Sequence, residues 1–387
     1  LPHREITVIN LPLQGDEVRM LIHSANASAP FRELTSRFPG VRLANPDDSS
    51  RIAEFINTTS MSSGALSVGF TRGDDYFAML RLQSEKHSAL ICEEQGRIVA
   101  CGALSVRPSS LRGQPAMLGY LQDLRVDRDA SQKVRNGFYS CFAEFVRICP
   151  QIDDFDHCSL FLTAILDKNI PAKLALSRQA FPLEYNRVVS YKAHVWPKIP
   201  FVVPTLTKAA KVPPQEHSEI LAFYEQQLGK FAFDLTIRDI ARLSEHSLAV
   251  TVRDGEKIIA ACLLVQTNRE RKLLVKPANF GREFETSGTY ITAMRTARSL
   301  SSESAATVKK NLLKKALAAS SRLPGVFTGF IETENNPLPI SGFHKLVDFK
   351  VEGSLYRVYH PEHTALPEFA KGFLRPAHIP AFDWVFS

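Results

Sequence analysis

Residues 118–149, LGYLQDLRVDRDASQKVRNGFYSCFAEFVRIC, read in succession as a strand, a polar turn and an amphipathic helix. The aliphatic and aromatic residues of 117–126 suit a strand. Residues 127–136 form the turn and carry Arg128, Lys133 and Arg135. From 137 to about 148, Phe138, Cys141, Phe142, Phe145, Val146 and Cys149 recur at the spacing of one buried helix face. A strand that feeds a basic turn and then a helix start is an anion site in physical terms. Unpaired N–H groups and the helix dipole point at whatever lies over the turn.

Composition sets the limits around this unit. At 387 residues the chain exceeds one ordinary core and calls for about two domains. Hydrophobic residues at 44% and charged residues at 22% indicate a soluble globular protein. Its longest apolar runs, such as 258–265, fall far short of a membrane span, so no membrane partner is expected. A net charge of +7 suits anionic ligands, but a diffuse surplus of this size leaves nucleic acid the minor reading. The six cysteines form no C-x-x-C pair, and several fall on apolar faces. They read as reduced core thiols of a cytoplasmic protein. The start, LPHREITVINLPL, lacks the charged and apolar regions of a signal peptide.

Before the central strand, 6–11 reads as a strand and 16–24 as a helix, within an N-terminal arm spanning 1–40. A short strand at 41–44 is followed by Pro46-Asp47-Asp48-Ser49, helix-start chemistry for a helix that buries Ile52, Phe55 and Ile56. A second helix covers 75–83. Strands at 88–93 and 97–106 are joined by Glu94-Gln95-Gly96, a hairpin signal, and 108–115 is a polar turn. After the central helix come a strand at 159–166 and a short helix in KNIPAKLALS (168–177). Strands follow near 181–183 and 188–196. Prolines at 197, 200, 204, 213 and 214 then mark a linker over 198–214.

The second half repeats the plan. Helices at 216–228 and 237–243 precede strands at 248–253 and 257–266, joined by Asp254-Gly255. A strand at 272–275, an amphipathic helix at 305–319 and a strand at 326–331 follow. Asn169-Ile170-Pro171 and Asn335-Asn336-Pro337 each trail an apolar strand, and Phe181 to Tyr191 matches Phe349 to Tyr359 in interval. Both coincidences in the same order point to duplication. The expected fold class is α/β (α+β), with domains at 41–197 and 215–387, each a mixed, mostly antiparallel sheet flanked by helices.

The element order, with GYLQDLRVDRD, the turn SQKVRNG and the later LTAILDKNIPAKLALS, resembles the GNAT acyltransferase superfamily and most of all its bacterial tandem-domain members. The likeness covers about 41–196 well and the second half loosely, so the expectation is two GNAT-like domains with the first one active. That resemblance implies acetyl-CoA, or another acyl-CoA, as co-substrate, and no metal. It implies that backbone groups of Leu124, Arg125 and Val126 are free to pair with the pantetheine arm. It places the pyrophosphate on Gln132, Lys133, Val134, Arg135, Asn136 and Gly137, where relatives carry Q/R-x-x-G-x-G/A. Here the first Gly position is Arg135 and only Gly137 is kept. Asn169 becomes a cofactor contact, with a helix cap as its alternative.

Transfer from a thioester to an amine needs a neutral amine, support for an oxyanion and a proton for the leaving thiolate. Asp123 and Tyr120 are the polar side chains available on the central strand to deprotonate the amine. Asp123 could instead pair with Arg125 or Lys133, and Tyr120 could be a core ring. Relatives supply the thiolate proton from a Tyr after the Asn169 position. Here that region holds Ser177, and Tyr185 lies beyond the helix. The second half, PANFGREFETSGTYITAMRTARSLSSES at 277–304, shows no Gly-rich basic turn and reads as a diverged domain. Lys309, Lys310, Lys314 and Lys315 read as a solvated helix face or a surface for an acidic partner. His360, Glu362 and His363 read as exposed tail residues rather than metal ligands.

The expected activity is N-acyl transfer to a small-molecule or peptide amine. The alternative is a catalytically silent GNAT scaffold that binds a ligand or partner. Oligomeric state is left open.

Overall fold

The computed structural model describes residues 7–8, 28–58, 66–111, 114–176, 182–198, 210–211, 214–228, 234–244, 247–267, 271–277, 284–334, 337 and 349–361. The first half contains β1 (Thr7–Val8), α1 (Ala29–Arg37), β2 (Val41–Leu43) and α2 (Ser49–Thr58), then β3 (Leu66–Arg72) and α3 (Tyr76–Gln83). The hairpin β4 (Lys86–Glu94) and β5 (Arg97–Leu111) follows, then β6 (Gln114–Val126), α4 (Gln132–Ile148), β7 (Leu160–Leu166), α5 (Ile170–Leu176) and β8 (Glu184–Pro197). The second half contains β9 (Ala210–Lys211), α6 (Pro214–Gln227), α7 (Ile237–Ser244), β10 (Ser247–Asp254) and β11 (Lys257–Gln266). It ends with β12 (Arg271–Pro277), β13 (Phe284–Thr286), β14 (Gly288–Thr296), α8 (Ser302–Ser320), β15 (Phe327–Thr333) and β16 (Phe349–Tyr359).

Local chemistry accounts for most of these boundaries. Asn45 and Asp48 close a reciprocal capping box over the turn that opens α2. Asp75 caps α3 by accepting from Phe77 N at 3.0 Å. Gln95 and Gly96 both sit at positive φ in the β4–β5 hairpin. The central helix departs from expectation. It begins at Gln132 rather than 137, because Ser131 caps it and Gln-Lys-Val-Arg propagates a helix well enough to carry Asn136 and Gly137 along. β3 and β14 were not expected as strands, and Leu183 precedes β8 without forming one. The expected helix at 16–24 and residue Phe181 lie outside the described residues. The N-terminal arm does gain a partner inside the expected linker, since β1 pairs in parallel with β9.

Among the described residues the main sheet has eleven strands in the order β10-β11-β14-β15-β8-β16-β7-β6-β5-β4-β2. Its centre is an exchange. The last strand of the first half, β8, lies against β15 of the second, and β16 lies against β7 of the first. The two exchanged strands pair with each other from Phe349↔Val195 to Tyr359↔Glu184. A three-stranded sheet also joins the halves, with β12 zipped along the whole of β3. Leu312, Leu313 and Ala316 of α8 and the apolar stripe of α4 cover one face of the main sheet. The opposite face meets α2, α3, α6 and α7, where Leu82, Tyr120, Leu162, Tyr224 and Ile240 share one core. All six cysteines are buried and unbridged.

One irregularity occurs twice. The β5–β6 register slips between Cys101 and Ala103, so Asp123 and Leu124 together oppose Gly102. The β11–β14 register slips between Ala261 and Leu263, so Ala293 and Met294 oppose Cys262. Asp123 has φ 54° and Ala293 has φ 51°, the left-handed conformation of a bulge residue. Beyond each bulge the sheet opens. Parallel pairing of β6 with β7 covers only Leu118–Tyr120, and that of β14 with β15 ends at Ile291.

Gly102, opposite the first bulge, lets α4 pack close to the sheet, because a Cβ there would lie 2.5 Å from Cε2 of Phe142 on α4. Gly102→Ala is therefore expected to cost about 1–3 kcal/mol in urea unfolding. Gly137→Ala places its Cβ in open space on a helix and should be neutral or stabilising by up to about 1 kcal/mol. His87 on β4 gives a pH signature. It is fully buried beside Phe77, neither ring nitrogen has a hydrogen-bond partner among the described residues, and burial pushes its pKa down to about 4. Its folded value lies below its unfolded one, so protonation favours the unfolded chain. Stability should be full above about pH 6.5 and fall toward pH 4 by on the order of 3 kcal/mol. His87→Phe should flatten that acid limb in denaturation curves recorded across pH.

Candidate active site

The bulge aims Asp123 out of the regular strand and into a buried cluster. Arg72 Nη2 donates to Asp123 Oδ2 at 2.6 Å and the Tyr76 hydroxyl donates to the same oxygen at 3.2 Å. The paired side chains of Arg72 and Asp123 are 7% and 10% exposed, so this is a desolvated ion pair, a different regime from a surface bridge. Arg72 arrives at the end of β3 and is held on both sides. Asn57 accepts from Arg72 N at 2.8 Å and donates to Arg72 O at 3.1 Å, while the strand itself is paired to β12. Arg125, next along β6 on the same face, donates to Ile56 O at 2.8 Å.

The charges in this cluster shape one another. Burial is the largest influence on Arg72 and opposes its charge, yet the Asp123 carboxylate outweighs it and the guanidinium pKa ends above its ordinary value. Burial pulls Arg125 down, with Asp123 acting the other way. Burial raises the Tyr76 phenol well above its ordinary value, and the Cys101 thiol likewise. Both stay neutral at physiological pH.

Tyr120 reaches the same cluster from below. It lies in a row across the sheet with His87, Ser105 and Leu162, is 6% exposed, and is close enough to Arg72 to act on its charge. The structure thus brings Tyr120 and Asp123 together. Asp123 pairs with Arg72, where sequence reasoning offered Arg125 or Lys133. Arg72 and Tyr76 were missed. Arg72 ends a strand that was not expected, and only its place at the close of an apolar segment could have marked it.

The residues expected to hold the cofactor occupy two edges of the open wedge. Arg125 and Val126 pair with Cys101 and Ala100 on the β5 side, whereas past Tyr120 no strand among the described residues pairs with β6 on the β7 side. Thr163 Oγ1 donates to Leu121 O at 2.9 Å where the two strands part. Gln132 to Gly137 are the first turns of α4, which corrects their reading as a turn. Ser131 Oγ accepts from Val134 N at 3.3 Å, and the N–H groups of Gln132 and Lys133 have no acceptor within the helix. Lys133, Arg135 and Asn136 are exposed, and Val134 is half-buried. Glu94 reaches this helix start, accepting from Ser131 N at 2.9 Å, and its bonds to Ser131 hold its pKa down. Asn169 caps α5, accepting from Ala172 N at 3.2 Å. Ser177 lies outside the described residues. Tyr185 is half-buried, packs edge-on against Tyr356, and is pushed up by burial.

The second wedge, between β14 and β15, is furnished differently. His194 and Glu332 approach to 3.2 Å, Arg295 pairs with the buried Asp234, and Lys309 is pushed down to about 8 by burial. Lys309 is half-buried and donates to Pro337 O at 3.5 Å, so its place on the helix is only partly solvated. Its neighbours divide: Lys314 is exposed, while Lys315 donates to Thr251 O at 3.2 Å. His360 is also corrected, being buried at 6% rather than exposed.

If the Arg72–Asp123 pair is integral to the fold, Asp123→Asn strands a buried guanidinium and should cost about 3–5 kcal/mol in urea unfolding. Replacing both partners, Arg72→Leu with Asp123→Leu, should recover much of that loss in a double-mutant cycle.

By sequence, no family model and no curated protein matches the chain. Solved structures do resemble it. N-myristoyltransferase of Saccharomyces cerevisiae with bound myristoyl-CoA superposes at a TM-score of 0.52, with 11% identity over 84% of this chain and 79% of that one. A second structure of that enzyme with myristoyl-CoA gives 0.53, with 11% identity over 84% and 83%. A GCN5-related N-acetyltransferase from Sphaerobacter thermophilus gives 0.45, with 10% identity over 82% and 94%. The mixed, mostly antiparallel sheet flanked by helices is thus a fold shared with N-myristoyltransferase.

Proposed function

We propose that this protein is an acyl-CoA-dependent N-acyltransferase, acetyl being the expected acyl group, with its site in the β6/β7 wedge. The carrying observation is that wedge. A bulge parts two parallel strands, leaves one edge of β6 without a strand partner among the described residues, and runs to the start of a seventeen-residue helix. Pantetheine would pair with the edge at Leu124 to Val126, and pyrophosphate would meet the N–H groups of Gln132 and Lys133, with Lys133 and Arg135 flanking. Asn169 stands across the wedge. Short acyl groups suit the closed floor, where a Cβ on Gly119 would lie 2.6 Å from Phe161 Cδ1.

In the proposed reaction the acceptor's ammonium gives a proton to Asp123, directly or through water, and Tyr120 helps orient it. The neutral amine attacks the thioester carbon, the C–N bond forms, and the C–S bond breaks. The amine's second proton leaves with the CoA thiolate, and a backbone N–H of β6 supports the oxyanion. Residues 41–197 and 215–387 are proposed as diverged copies joined by 198–214. The repeated bulge at Asp123 and Ala293 and the caps Ser131 and Ser301 support this. The second copy shapes the acceptor side.

A silent scaffold is the second reading, favoured by Glu94, a carboxylate already seated at the helix start. Calorimetric titration with acetyl-CoA and CoA separates the two. One micromolar site per chain supports the enzyme, and no heat at millimolar ligand leaves the scaffold. Gln132→Pro removes one N–H at a helix position that tolerates Pro. It should weaken CoA binding about tenfold, roughly 1.4 kcal/mol, without unfolding the chain.

A further inference from the structure

The first-half cluster contains one feature that the transfer chemistry does not use. Arg72 is 8% exposed and its Nη2 holds Asp123, while its Nη1 is buried without a hydrogen-bond partner among the described residues. Buried guanidinium nitrogens are rarely left so, because each lost hydrogen bond to a charged donor is costly. Arg125 brings a second positive charge toward the same carboxylate. The neutral phenol and thiol beside them add no compensating charge.

We propose that Arg72 Nη1 is a carboxylate site, and that the acceptor is a small zwitterion of the α-amino acid class. Its carboxylate lies on Arg72 and its amino group on Asp123. The proposal rests on the acyltransferase reading for the chemistry that follows, but the binding site stands on its own geometry. An α-amino acid separates its two charged groups by a single carbon. The Arg72–Asp123 pair presents the complementary charges side by side on one guanidinium fork and the carboxylate 2.6 Å from it. A planar fork matches a planar carboxylate. Nothing in this arrangement requires a long acceptor, and a peptide amine whose α-carboxyl is tied up in an amide would leave Nη1 unmatched.

The test uses the full chain saturated with CoA and a panel of free α-amino acids, each compared with its α-amide by calorimetry. The expected result is saturable binding of one or more amino acids at least about 100-fold tighter than the amide. Arg72→Lys, which keeps the charge and loses the fork, should erase most of that preference while its CoA dissociation constant stays unchanged. Equal binding of acid and amide, or no binding of any amino acid by a protein that binds CoA, overturns the carboxylate site and leaves the acyltransferase reading intact. Discriminating amino-acid binding without CoA binding or thiol release overturns the enzyme and retains the site. Should Arg72→Lys fail to fold, the acid-against-amide comparison in the unaltered protein still decides.

Discussion

The exchange of β8 and β16 is the constraint on which the rest of the molecule depends. A strand at the edge of a sheet exposes a row of unpaired N–H and C=O groups, and each half of this chain would end on such an edge. Crossing over removes both edges at once. β8 satisfies β15, β16 satisfies β7, and the two satisfy each other along eleven residues of β16. At the seam Tyr191 stacks over Gly353, where any side chain would collide with its ring. The halves are therefore held at one spacing and one orientation by backbone hydrogen bonds, a stiffer linkage than a hinge.

That stiffness matters because the candidate site is assembled from distant parts of the chain. Asp123 comes from β6 and Tyr76 from α3. Arg72 comes from a strand whose other edge is paired to β12 in the second half. A slip of one residue would turn Arg72 to the other face of its strand, so the cluster persists only while both sheets keep their register. The Arg107–Asp239 pair, buried on both sides at 3.0 Å, and the bonds from Arg242 to Leu82 and Gln83 carbonyls tie α7 to the same region.

The repeated bulge shows one backbone device in two settings. In both halves a left-handed residue re-aims the strand and parts it from its parallel neighbour. In the first wedge no strand among the described residues pairs with the β7-side edge of β6 past Tyr120. In the second, His194, Glu332, Lys309 and Arg295 gather in the space, and Ala293 stands where Asp123 does. Identical backbone, different side chains: that difference supports assigning the proposed chemistry to the first half.

Strand and helix periodicity made the central unit, both hairpins and most helices legible from sequence, because those patterns record which face of a local element meets the core. The same reasoning offered Tyr120 and Asp123 as site candidates, and the structure places both near Arg72. It could not see β14, whose GTYITAMRT is apolar almost throughout and carries no alternation to separate strand from loop. It misplaced the start of α4, since Asn136-Gly137 reads as a break locally while the packed stripe from Phe138 onward holds those residues in a helix. The pairing of Asp123 with Arg72, fifty-one residues apart, was beyond it entirely. So was the exchange of final strands. Sequence by itself determined which segments become strands and helices and which faces they bury, because that information is local. Only the tertiary structure decided which strand lies beside which and which charge meets which, because register and ion pairing are set by contacts between residues that the chain order keeps apart.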